Sequence, residues 1–189
     1  MLIPDMWKAV LKEVQQVFPD AVIGGGCLRD LYFNKEPKDI DIFIPNSTND
    51  QISKYLCECD EITVARDMPS YNGLSNSDVT RVITCTWKNL KADDLPVELI
   101  AVSVDKDAIL NRFDYGICQI TYDGDKIHYT SRFIIDSRCK CFTLVRCDNQ
   151  DQFNRSFKRW ERLSERYPEF IFNVGEYGKY AGPRSIAEV

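Results

Sequence analysis

The 189 residues suffice for one domain, or for a domain with a small appendage, and 44% hydrophobic with 12% aromatic residues can fill a real core. A formal net charge of -5 excludes a generic nucleic-acid binder, so any such contact must come from a local patch. No run approaches the ~18 apolar residues of a membrane span, and the N-terminus lacks the apolar core of a signal peptide. These features predict a soluble, cytoplasmic protein with no membrane partner. The eight cysteines should then be mostly reduced. Cys139, Cys141 and Cys147 could supply three zinc ligands, but His128 is the only histidine and no fourth ligand is evident. The other reading is cysteine as a small buried apolar residue.

Apolar residues at Met6, Val10, Leu11, Val14, Val17 and Phe18 follow a helical period and predict a helix over 5–18. Pro19-Asp20 ends it and leads into a strand, Ala21 to Ile23. Next come Gly24-Gly25-Gly26, a helix of about two turns, and a second strand carrying Asp39 and Asp41. Side chains two apart on a strand share a face, so both carboxylates project together and Ile40, Ile42 and Ile44 take the buried side. Adjacent carboxylates repel unless a cation lies between them, and oxygen-only ligands favour Mg²⁺ or Mn²⁺. Backbone N–H groups at a glycine-opened helix start form a phosphate cradle. Together these imply phosphate-ester chemistry on a nucleotide.

The run Gly25-Gly26-x-Leu28-Arg29-Asp30 followed by Lys38-Asp39-Ile40-Asp41 resembles the catalytic head of CCA-adding enzymes and bacterial poly(A) polymerases. These belong to the nucleotidyltransferase superfamily, whose pattern is Gly-Gly-x-Val-Arg-Asp, a short helix, then Asp-x-Asp. The resemblance implies that Asp39 and Asp41 are metal-binding catalytic residues and that Gly25 and Gly26 bind the nucleotide. Arg29 could reach the triphosphate tail or pair with Asp30 to fix the turn.

Farther along, a helix is expected over 48–60, capped from Asn46-Ser47-Thr48, and Asp67 to Asp78 reads as a long loop, either a flap or an insertion. Strands are expected at Val79–Trp87 and Leu95–Val102, with a polar link Lys88–Asp94 between them. Glu98 lies amid apolar residues in the second. A carboxylate there is costly unless paired or solvated. It resembles the superfamily's third catalytic carboxylate, and the alternative is an edge-strand residue facing water. A short helix is expected over Asp105–Arg112 with Asp105 as its cap. The run from Arg112 to Asp123 then resembles the family's Arg-Arg-Asp-Phe-Thr-Ile-Asn-Ala motif, which implies nucleotide-sugar contacts from Arg112 and Asp114. Phe113 stands where the family has its second arginine and Cys118 where it has asparagine, and Gly116 and Gln119 also differ, so 2′-hydroxyl discrimination is expected to be altered. Ile117–Tyr122 should form a strand turning at Asp123-Gly124, Lys126–Ile134 should complete the hairpin, and Cys139–Arg146 should extend it.

The last strong helix is expected over Asp151–Tyr167, with Phe153, Phe157, Trp160, Leu163 and Tyr167 on one face. Arg155, Arg159, Arg162 and Arg166 form a stripe roughly opposite. It is either a solvated face or a docking strip for a nucleic-acid backbone or triphosphate. The tail from Asn173 onward should be irregular.

The predicted fold class is α+β, a small mixed β-sheet with helices on one face plus a C-terminal helix, divided as a head over 1–147 and an appendage over 148–189. The predicted activity is transfer of an NMP from an NTP to a hydroxyl, an RNA 3′ end first, with release of pyrophosphate. One metal would sit on Asp39 and Asp41 and a second would be bridged by Glu98. The Glu-Asp-x-x-Arg base-selecting motif and the long helical neck, body and tail of a full CCA-adding enzyme have no counterpart, which argues against accurate tRNA repair. A protein or small-molecule acceptor remains open, as does the oligomeric state. Two rivals stand beside this reading. One is an inactive nucleotide- or partner-binding scaffold, and the other is an RNA-binding accessory module using the arginine stripe. A stand-alone head of this kind suits a phage or a toxin system by fold-level analogy.

Overall fold

The computed structural model describes residues 1–68, 78–88 and 95–181, which divide into two compact units. The first comprises Met1–Ile109 and Thr121–His128, the second Leu110–Ile120 and the chain from Tyr129.

The first unit is built on a seven-stranded mixed sheet. Its strands are β1 (Val22–Gly24), β2 (Ile40–Pro45), β3 (Ile62–Met68), β4 (Val79–Trp87), β5 (Val97–Val102), β6 (Ile120–Tyr122) and β7 (Ile127–Tyr129), in the spatial order β3-β4-β5-β2-β1-β6-β7. The β2–β5 pair is parallel and runs for six residues, whereas β3–β4, β4–β5, β1–β2 and β1–β6 are antiparallel. The alternation in β2 is strict: Ile40, Ile42 and Ile44 are fully buried, and Asp41 and Phe43 take the other face. Helix α1 (Asp5–Gln15) buries Trp7, Val10, Leu11 and Val14. It is tied to β4 by Trp87 Nε1, which donates to Glu13 at 2.8 Å. Helix α2 (Gly26–Tyr32) starts after Gly25, whose φ of 78° is a conformation that favours glycine. Helix α3 (Asn49–Glu58) has Thr48 and Gln51 in a capping box.

In the second unit, α4 (Ser131–Cys139) leads to β8 (Cys141–Thr143), α5 (Gln150–Arg166) and β9 (Ile171–Asn173), with β8 and β9 paired in parallel. Phe142 centres an aromatic core, with ring centroids of Tyr115, Trp160, Tyr167 and Phe170 at 5.3–5.5 Å. Asp136 is fully buried and accepts from Thr143 Oγ1 at 2.8 Å and Thr143 N at 3.2 Å. Gly116 leaves room for this arrangement, since a Cβ there would lie 2.1 Å from Arg132 Cγ and 2.6 Å from Asp136 Oδ2.

Several local expectations are corrected. Asp67 and Met68, expected to begin a long loop, instead end a strand, Ile62–Met68, and residues 69–77 and 89–94 lie outside the described residues. Asp39 immediately precedes β2 instead of lying within it. Gly116–Cys118 is a 3-10 turn, so the following strand starts only at Ile120. The hairpin arm expected over Lys126–Ile134 stops at Tyr129. There Thr130 Oγ1 caps Phe133 N at 3.2 Å, and the chain turns into α4. The run after Cys139 pairs with β9 in a separate sheet and does not extend the hairpin. Asn173 belongs to β9 and Gly175–Tyr180 is a 3-10 helix; the rest of the tail, 182–189, is outside the described residues. Asp105 precedes a 3-10 helix (Lys106–Arg112), and its carboxylate accepts from the Asn46 side chain.

Candidate functional site

The parallel register of β2 and β5 places Asp41 directly beside Glu98, and Asp39 approaches from the residue before β2. One oxygen from each of Asp39, Asp41 and Glu98 falls within 4.8 Å of the others. All three side chains are partly exposed, so the cluster opens to solvent on the sheet face opposite Ile40, Ile42 and Ile44. Burial pushes the Glu98 carboxyl up, the Asp39 charge pushes it further, and Thr84 and Arg66 pull it back. Thr84 Oγ1 reaches Glu98 Oε1 at 3.4 Å. Three hard oxygen donors that repel one another fit a divalent cation such as Mg²⁺ or Mn²⁺.

Beside the cluster, Gly24 to Gly26 turn the chain from β1 into α2. Arg29 is buried and points at its neighbour: its Nε donates to Asp30 Oδ1 at 2.8 Å, and a second guanidinium nitrogen donates to the same oxygen. The pairing with Asp30, one of the two roles weighed for Arg29, is present. Cys27 is fully enclosed and donates to the Gly24 carbonyl at 3.3 Å. Burial raises its thiol well above the ordinary range, with Asp41 and Asp39 adding to the effect, so it stays a neutral packing group.

Arg112, Asp114 and the arginines of α5 belong to the second unit. Asp114 accepts from Ser156 Oγ at 2.9 Å and takes Arg159 Nη1 on both oxygens at 3.0 Å, which fastens the segment before β6 to α5. Burial lowers the Arg112 guanidinium from its usual value, the nearby Arg146 charge adds to this, and Arg146 donates to the Arg112 carbonyl at 3.1 Å. Arg155, Lys158, Arg159, Glu161, Arg162 and Glu165 line an open depression of about 620 Å³ on α5. Arg155, Arg159 and Arg162 are exposed, and Arg166 is half-buried. Phe153 and Tyr167 are buried on the other side of α5, and Phe157 and Trp160 meet Phe172 with centroids at 5.7 and 5.8 Å, as the apolar period predicts.

Residues 3–140 match the model of the Gabija anti-defense 2 family. The chain belongs to that family. No curated protein matches it in sequence. Solved structures do match this chain in fold. One, a tRNA-processing enzyme in an apo form, is 18% identical with a TM-score of 0.62 over 92% of this chain and 45% of its own. The Thermotoga maritima CCA-adding enzyme complexed with tRNA is 12% identical with a TM-score of 0.63, over 95% and 42% of the two chains. A CCA-adding enzyme in complex with ATP gives 12% identity and a TM-score of 0.61, over 95% and 41%. At such identities the likeness shows the fold alone: the chain has the mixed α/β architecture of these enzymes. It spans less than half the length of each.

Sequence reasoning overlooked two side chains in the family member's carboxylate row. Thr84 and Arg66 continue the line Asp41–Glu98 across β4 and β3. The signal for Thr84 was available in the alternation of Val79–Trp87. Arg66 carried none, because β3 itself was unrecognised.

Proposed function

We propose that this Gabija anti-defense 2 family protein is a metal-dependent nucleotidyltransferase that moves an NMP from an NTP to a hydroxyl acceptor, an RNA 3′ end first, releasing pyrophosphate. The observation that supports this is the convergence of Asp39, Asp41 and Glu98, from neighbouring strands, to within 4.8 Å at a glycine-opened helix start. These three residues would hold Mg²⁺ or Mn²⁺, which when bound neutralises triphosphate charge and makes an attacking hydroxyl more acidic. The chain's own groups do the rest. Backbone N–H groups of Gly25 and Gly26 orient the β- and γ-phosphates, and the Arg29–Asp30 pair fixes the turn that presents them. Arg112 and Asp114 are the candidate contacts to the nucleotide sugar, with Asp114 held by Arg159 and Ser156. The basic face of α5, with Arg155, Arg162 and Arg166, suits a phosphate backbone.

The test is label transfer from each α-labelled NTP in Mg²⁺ or Mn²⁺, with total RNA and total cell protein as acceptors. The control is the Asp39→Ala, Asp41→Ala double variant. Transfer by the wild type and not by the variant is expected, and the labelled fraction names the acceptor.

A second reading is favoured by the departures at Phe113 and Cys118 and by the anti-defense character of the family. On that reading the scaffold binds a nucleotide or a defence component without turnover. NTP binding with no transfer to any acceptor would select it and refute the enzyme.

A further inference from the structure

β3 is an edge strand, and five of its seven residues, Thr63 to Asp67, are exposed. Its ladder with β4 contains a one-residue slip: Val64 faces Cys85, and the next pair is Arg66 with Thr84, which leaves Ala65 over. Side chains alternate faces along a strand, so one extra residue reverses the orientation of everything that follows. In an unbroken ladder Arg66 would face Ile83, on the side of the sheet that carries the fully buried Ile83 and Cys85. Asp67 would face Val82, on the carboxylate side. The slip exchanges them. Arg66 joins the row Thr84–Glu98–Asp41, and Asp67 lies opposite Ile83.

The exchange is locked from the far side of the sheet. Arg81, only 6% exposed, donates from Nε to Asp67 Oδ1 at 3.0 Å and from Nη2 to Oδ2 at 2.6 Å. The same guanidinium donates to the Asn49 carbonyl at 3.0 Å and to Ser53 Oγ at 2.8 Å, both on α3. Asp67 therefore cannot return to the carboxylate face without stranding a buried arginine. A bulge fastened this way delivers one guanidinium to the side of the sheet where three carboxylates converge.

We propose that Arg66 is a phosphate-binding residue of the carboxylate site, its guanidinium holding phosphate oxygens of the substrate brought beside Asp39, Asp41 and Glu98. This rests on the nucleotidyltransferase reading and assigns it a residue. A guanidinium presents planar paired donors that match phosphate, and a metal-loaded carboxylate cluster leaves that charge unclaimed by Glu98. The competing role is a counter-ion for Glu98 alone.

Calorimetric titration separates them, with Mn²⁺ alone as one probe and inorganic triphosphate at saturating Mn²⁺ as the other. Arg66→Gln is expected to leave Mn²⁺ affinity equal or higher, because a repelling charge is removed. It should weaken triphosphate binding about 10- to 100-fold, the range of hydrogen bonds to charged groups. Arg66→Lys should recover only part of the loss. Unchanged triphosphate affinity in Arg66→Gln, with wild type binding both probes, overturns the assignment while leaving the nucleotidyltransferase reading intact. A wild type that binds neither probe overturns both.

Discussion

Replacing Glu98 by Gln tests whether the carboxylate cluster is built for a cation. With oxygens within 4.8 Å, each carboxylate pair repels by about 0.9 kcal/mol in a water-like medium and about 3.5 kcal/mol at an effective dielectric of ~20. The side chains are partly exposed, which discounts the larger figure. Loss of one charge should therefore stabilise the metal-free protein by about 1–2 kcal/mol at neutral pH. Gln keeps the oxygen that accepts from Thr84 Oγ1, so packing and hydrogen bonding change little. The sign with pH follows from the raised carboxyl. When Glu98 is protonated in both states there is no penalty; the penalty develops as pH rises above the ordinary carboxylate range of ~4.3 and is complete above the folded value. Urea unfolding in EDTA should show Glu98→Gln more stable than wild type near pH 7, with the gap closing at about pH 3.5. Millimolar Mn²⁺ should reverse the order, because wild type gains binding free energy that the variant loses in part. A variant less stable than wild type in EDTA at neutral pH, or a gain that persists in acid, would refute the reasoning.

Arg81→Ala should cost about 2–3 kcal/mol, less than a fully buried pair because the Asp67 side chain is 34% exposed. Denaturant midpoints measure this, and a neutral result would mean that the bulge needs no lock. Gly116→Ala should cost about 2 kcal/mol or more, since the new Cβ overlaps Arg132 and the buried Asp136. A melting temperature equal to wild type would show that α4 can shift without loss.

The elements that carry the chemistry were legible because their patterns are local. Strict alternation marks β2, a helical period marks α1 and α5, and one carboxylate among apolar residues marks Glu98. What escaped depends on distant partners. β3 exposes most of its side chains and contains a bulge, so it shows no two-residue period for a reader to find. Phe133-Ile134-Ile135 looks like strand, yet the Thr130 cap and the buried Asp136 one turn on make it helix. β8 is three residues long and exists as a strand only through β9, some thirty residues away. The three carboxylates were named from sequence, but only the β2–β5 register brings Glu98 beside Asp41. The engagement of the Asp114 oxygens by Ser156 and Arg159, both on α5, also joins residues far apart in the chain.

The first unit is discontinuous in the chain, closed by Thr121–His128 after an excursion through Leu110–Ile120. During synthesis β1 thus waits with one side unpaired until β6 has left the ribosome. A fragment cut at residue 109 would keep Asp39, Asp41 and Glu98 yet expose that row of backbone N–H and C=O groups, a template for self-association. The smallest fragment that can complete the sheet must run through β7, and it carries the first stretch of the second unit with it.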